Sequence, residues 1–208
     1  MIKWVQMRKR IRKLAFLGFA DAPPEDPLFK ETFAVAKHVA GRGFTVVDGG
    51  GPGVMRAASL GAKAGGGKTI GVTFYPKDIA LFEGRDMENP LDEEIVTKNY
   101  LERTLKLLEY GDAYVFFKGG TGTISEFGMA WGLAKLYYGH HKPLILYGQF
   151  WENIIAAFIA NMRIRPEDLK VYRIAKTPEE VIEHIELFEG MYHHPSHPFN
   201  PEEAPFEL

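Results

Sequence analysis

The stretch that most constrains this chain runs from Tyr114 to Glu126. Tyr114-Val115-Phe116-Phe117 reads as a buried strand. Lys118-Gly119-Gly120-Thr121-Gly122-Thr123 follows as a glycine turn, and Ile124-Ser125-Glu126 carries the chain into a helix. A glycine turn between strand and helix lets backbone N–H groups point at an anion, and the helix dipole adds to their pull. Such a turn suits a phosphate. An acid just inside the helix points to chemistry beside that phosphate.

The rest of the chain repeats the strand-then-helix pattern. Buried strands are expected at Leu14–Phe19, Phe44–Asp48, Thr69–Phe74, Tyr114–Phe117, Pro143–Tyr147 and Val171–Ile174, with a short one at Glu94–Thr97. Helices are expected at Leu28–Ala40, from Val54 through Ala62, at Asn99–Tyr110, Thr123–Tyr138, Trp151–Met162 and Pro178–Phe188. Thr177 is the expected N-cap of the last, with Glu180 three residues on. The pattern predicts an α/β fold: a Rossmann-like, doubly wound parallel sheet with helices on both faces. Ligands in such folds bind beyond the C-terminal strand ends. A second glycine turn, Gly49-Gly50-Gly51-Pro52-Gly53, is predicted at that same edge, with Pro52 in the first turn of its helix. Tyr75 to Asn89 is the longest irregular stretch, a length that suits a lid or binding loop.

At 208 residues, 46% apolar and 25% charged, the chain reads as one soluble domain over 1–190. That domain starts with a short basic lead-in, Met1–Lys13, and a proline-rich tail, 191–208, follows it. A net charge of −2 gives no reason to expect nucleic-acid or membrane partners. No segment approaches the roughly 20 apolar residues of a membrane span. There are no cysteines, which excludes disulfides and thiolate chemistry and fits a cytoplasmic location.

The residue types allow two readings at several positions. Glu126 is expected near the third or fourth helical position, counting Thr121 or Gly122 as the cap. It is either a capping, dipole-favouring acid or a carboxylate held ionised beside a phosphoribosyl group. Arg103 falls off the Leu101–Leu105–Leu108 stripe, where a lone arginine reads as part of a solvated face. Lys118 can meet a phosphate or simply end a strand. His193, His194 and His197 have no acid or cysteine at fixed spacing, so they read as tail rather than metal site. Neither a dinucleotide fingerprint nor a Walker lysine is present.

Four segments, in order, resemble the Lonely Guy family, often labelled lysine-decarboxylase-like. Lys118 to Glu126 is similar to its PGGxGTxxE motif. Gly49-Gly50-Gly51-Pro52-Gly53-Val54-Met55 is similar to its GGG-x-GLM turn. Glu102-Arg103 falls on its M-H-E-R-K segment, and His140-His141-Lys142-Pro143 resembles its H-x-K-P. The resemblance covers about Leu14 to Phe188. It implies a Rossmann-like homodimer that hydrolyses the N-glycosidic bond of a nucleoside 5′-monophosphate, giving free base and ribose 5-phosphate. It implies Arg103 and Glu126 as the catalytic pair. It assigns the phosphate to Gly119, Gly120, Thr121, Gly122 and Thr123, with Gly49, Gly50, Gly51, Gly53 and Met55 in the nucleotide-binding turn. Neither cofactor nor metal is implied, and nothing resembles a pyridoxal phosphate site. The chain departs from the pattern at Lys118, Thr104, Met129 and Phe19-Ala20-Asp21, positions that surround the ligand. Molybdenum-cofactor carriers share the fold, so a non-catalytic carrier or nucleotide-binding protein is the alternative.

Overall fold

The computed structural model of the chain describes residues 10–75 and 84–192. The expectations for the basic lead-in before Arg10, for most of the Tyr75–Asn89 stretch and for the tail histidines fall outside them.

Seven strands form one sheet. In chain order the elements are β1 (Lys13–Leu17), α1 (Pro27–Gly41), β2 (Thr45–Asp48), α2 (Val54–Ala64), β3 (Thr69–Phe74), β4 (Glu93–Thr97), α3 (Tyr100–Tyr110), β5 (Ala113–Phe116), α4 (Thr121–Leu136), β6 (Leu144–Tyr147), α5 (Phe150–Asn161), β7 (Tyr172–Ala175) and α6 (Pro178–Tyr192). A 3₁₀ turn at Pro166–Leu169, not expected from the sequence, precedes β7. The strand order is β4-β3-β2-β1-β5-β6-β7, and every pairing is parallel.

Alternation along the central strands feeds two apolar layers. Leu14, Phe16, Val46, Val115, Phe117 and Ile145 pack on α1, α2 and α6. Their neighbours Ala15, Leu17, Val47, Tyr114, Phe116 and Leu144 pack on α3, α4 and α5. Burial on both faces explains why these strands are continuous apolar runs rather than alternating ones.

From β1 the chain winds outward to β4, then returns to lay β5 against the other side of β1. The winding direction reverses between β1 and β5, whose last pair is Leu17 with Phe116. Crossovers leave in opposite directions there, so the C-terminal strand ends open a crevice. Both glycine turns empty onto it.

One turn differs from expectation. Pro52 lies before α2 rather than in its first turn, because Gly53 is the N-cap, at φ 61°. A Cβ at Gly53 would sit 2.2 Å from the Ala20 carbonyl oxygen. Both the left-handed backbone and the close approach require glycine. The contact seats α2 against the loop after β1, where the Val54 N–H donates to the Phe19 carbonyl at 3.0 Å.

Candidate functional site

A cavity of about 230 Å³ opens at the reversal point between β1 and β5. Its walls come from Gly18, Phe19 and Ala20 after β1, Gly49 after β2, Tyr100 and Arg103 of α3, and Gly120 to Thr123 with Glu126 of α4.

The α4 end of this cavity follows from its cap. Gly120 is the N-cap and offers no side-chain hydrogen bond. The N–H groups of a helix's first residues have no internal partner. Here those residues are Thr121, Gly122 and Thr123, and all three line the cavity. Uncapped donors and a helix dipole at one spot make an anion site.

Because α4 begins at Thr121, Glu126 is its sixth residue, two or three positions deeper than the sequence suggested. That removes the capping reading. Glu126 is 7% exposed and lines the cavity. Burial pushes its carboxyl up to about 7, opposed by the positive charge of Arg103.

Arg103 reverses the expectation of a solvated face. It is 7% exposed, while Leu101, at 61%, points to solvent. The buried side of α3 is Arg103, Thr104, Leu107 and Leu108. Three acceptors from distant parts of the chain hold the guanidinium. Nε donates to the Val72 carbonyl at 3.1 Å, and Nη2 reaches both the Gly49 carbonyl and the Met55 sulfur at 3.3 Å. A buried arginine needs such partners to offset its lost hydration. The remaining nitrogen, Nη1, lies 4.0 Å from Glu126 Oε1.

The second glycine turn is therefore the seat of the arginine. The Gly50 N–H is taken by the Asp48 carboxylate at 2.7 Å, and Gly49 offers its carbonyl to Arg103. Of the residues expected at the site, Arg103, Glu126, Gly49, Met55, Gly120, Thr121, Gly122 and Thr123 line one cavity. Gly50, Gly51 and Gly53 do not; they shape the turn behind it. Nor does Gly119, which lies against the Thr123 side chain. The Lys118 side chain is exposed, and its carbonyl accepts the Phe19 N–H at 3.0 Å.

The H-x-K-P segment is a support. Lys142 Nζ donates to the carbonyls of Leu108 and Glu109 at 2.8 and 2.7 Å, capping the C-terminal end of α3. Burial draws that ammonium down to about 8 and the imidazole of His141 down to about 4.

Sequence reasoning missed Asp48, Tyr100 and Asn89. Asp48 carried a usable signal, an acid at a strand's C-terminal end directly before three glycines. Asn89 carried none, because its contacts are with residues about forty positions away.

Known proteins match along this same stretch. The family described as "possible lysine decarboxylase" matches residues 55–185. A protein of Mycobacterium tuberculosis named cytokinin riboside 5′-monophosphate phosphoribohydrolase is 36% identical over 129 residues, 61% of this chain and 66% of that one. Its namesake in Mycobacterium marinum is 35% identical over 133 residues, 64% of this chain and 68% of that one. The matches thus span about two thirds of the length of these relatives. Among solved structures, the molybdenum cofactor binding protein of Rippkaea orientalis superposes with a TM-score of 0.63 at 27% identity, covering 87% of this chain and 98% of that one.

Proposed function

Because this chain belongs to the Lonely Guy family, described as "possible lysine decarboxylase", we propose that it hydrolyses the N-glycosidic bond of a nucleoside 5′-monophosphate to free base and ribose 5-phosphate. The observation that carries the proposal is Glu126, a buried carboxylate in a cavity that also holds an uncapped helix start and a buried arginine.

In this reading the phosphate binds at Gly120 to Thr123, against the free N–H groups of α4. The ribosyl group then lies over Arg103 and Glu126. As the bond between C1′ and the base nitrogen breaks, the base leaves with the electron pair and positive charge develops on the sugar. The Glu126 carboxylate stabilises that charge. A water oxygen bonds to C1′, Glu126 takes one of the water's protons, and that proton passes to the departing base, which restores the carboxylate. Arg103 offers Nη1 to a phosphate or hydroxyl oxygen of the substrate. No step requires a metal or cofactor.

The test is a panel of purine, pyrimidine and cytokinin 5′-monophosphates, with released base separated chromatographically. Release from at least one is expected, and tight binding without release from any would overturn the proposal. The second reading, a nucleotide or molybdenum-cofactor carrier, draws on the likeness to the Rippkaea orientalis protein. A ligand that co-purifies and is never turned over would favour it.

The same reading includes a homodimer in the cytoplasm. Among the described residues no helix is long and apolar enough to cross a membrane. Support for a second copy comes from the outer surface of α4 and α5, where Ile124, Leu136, Ile159 and Met162 are 45 to 71% exposed. Gly128 and Gly132 lie one turn apart on that surface, and a Cβ at either would meet nothing within 4 Å. Small residues at this spacing let a partner helix approach closely, and a self-complementary face is what a two-fold dimer needs.

A further inference from the structure

Asn89 does not line the cavity, yet it is 1% exposed and reaches directly behind it. Its Nδ2 donates to the Gly51 carbonyl at 3.0 Å and to Asp48 Oδ1 at 3.3 Å. Asp48 is itself fully buried. It accepts the Ser59 hydroxyl on Oδ2 at 2.6 Å and the Gly50 N–H on Oδ1 at 2.7 Å. The Gly50 carbonyl in turn accepts the Asp86 N–H at 2.9 Å.

Taken residue by residue, the turn after β2 is pinned on either side of one position. Asp48 is held by Ser59, Gly50 by Asp48 and Asp86, and Gly51 by Asn89. Gly49, between them, gives its carbonyl to Arg103 Nη2. A glycine turn left to itself has wide conformational freedom. Here that freedom is removed at each neighbour of the group that seats the guanidinium.

Asn89 also carries a cost that stability alone does not explain. Among the described residues its buried Oδ1 has no hydrogen-bond partner. A buried unpaired carbonyl is unfavourable, and an apolar side chain would avoid it. What the amide supplies in exchange is the donor that ties Asp48 to Gly51.

We infer that Asn89 and Asp48 are positioning residues of the active site, acting through the Gly49 carbonyl to hold Arg103 opposite Glu126. The inference rests on Arg103 and Glu126 being the catalytic pair. The residues tested sit outside the cavity and touch no substrate. Their effect should fall on the chemical step rather than on binding, since small displacements of a reacting group cost rate steeply.

The experiment compares wild type with Asn89→Ala and with Ser59→Ala, a milder break in the same network, using whichever nucleotide the panel shows to be cleaved. In Asn89→Ala, kcat should fall by about 10- to 100-fold while KM moves by less than about 3-fold. Ser59→Ala should fall the same way by a smaller factor, and it decides the matter if Asn89→Ala does not fold. A second readout is the set of Arg103 Nη–H signals in ¹⁵N-labelled protein, whose solvent exchange should quicken by about 10-fold or more as the Gly49 seat of Nη2 loosens. Folded variants with wild-type kcat and an unchanged Arg103 signal would overturn the inference. If wild type cleaves no nucleotide, the functional proposal fails instead, and the Arg103 signal alone still decides whether Asn89 holds the arginine.

Discussion

Arg103 Nη1 and Glu126 Oε1 stand 4.0 Å apart, with less than one tenth of either side chain exposed. The gap is too long for a hydrogen bond. Each charge therefore feels the other while keeping hydrogen-bonding capacity for a ligand oxygen between them. α3 supplies the cation and α4 the anion, and the reversal of winding between β1 and β5 brings the two helices to one crevice.

Glu126→Gln preserves the shape of that pair and removes its charge. Turnover should fall by about 10²- to 10⁴-fold, the usual worth of a general base. Nucleotide affinity, measured by titration calorimetry, should stay within a few-fold. Unimpaired turnover would remove Glu126 from the mechanism. Arg103→Ala should be as damaging for a further reason: it leaves a buried carboxylate without its counter-charge, and the Glu126 carboxyl rises above its present value.

The protonation of Glu126 sets an expected pH profile. With its carboxyl near 7, kcat/KM should climb as pH rises through about 7 and level off above, as the base becomes ionised. Stability should run the other way. The folded value lies above the unsubstituted value of 4.5, so the fold favours the protonated form. That stabilisation is complete below about 4.5 and is lost as pH rises through about 7. Glu126→Gln should consequently gain up to roughly 3 kcal/mol over wild type at pH 8 and nothing near pH 4, measured by denaturant unfolding at both values.

The glycine turns separate seating from folding. A Cβ at Gly49 would fall 1.6 Å from Arg103 Nη2 and 2.7 Å from the Met55 sulfur, both ends of flexible side chains. Gly49→Ala should thus displace the arginine, costing about 10²-fold in kcat with a drop in Tm of only a few degrees. At Gly53 the obstacle is backbone, the Ala20 carbonyl, and φ is positive. Gly53→Ala should instead destabilise the fold itself, by about 1–3 kcal/mol or more. Thermal unfolding and steady-state kinetics on the two variants distinguish the effects.

The parts of this arrangement that were legible in the sequence are those written locally. Strand β3 falls where its apolar run places it, and both glycine turns lie at the predicted sheet edge. The Thr177 hydroxyl caps α6 by accepting the Glu180 N–H at 3.2 Å. Arg103 was misread because helical periodicity treats a charge as solvent-facing. Its burial is made possible by Val72 and Gly49, 31 and 54 residues away, which no local pattern registers. Glu126 falls two or three positions deeper than expected because α4 begins at a glycine cap, where no side chain announces the boundary. The Asn89 contact with Asp48, across 41 residues, is likewise a product of the sheet order.

The last expectation concerns the outer face of α4. Gly132 is exposed, and an added side chain there meets nothing in the monomer. Gly132→Arg should therefore leave the monomer fold intact, and replacing a helical glycine should favour α4 by up to about 1 kcal/mol. A partner helix packed on the Gly128–Gly132 ridge would have no room for that side chain. Light scattering should give a dimer mass for wild type and a monomer mass for Gly132→Arg, with matching circular dichroism. A dimeric variant would move the interface elsewhere on the surface, and a monomeric wild type at about 100 Kd-equivalents of a micromolar dimer would end the dimer proposal.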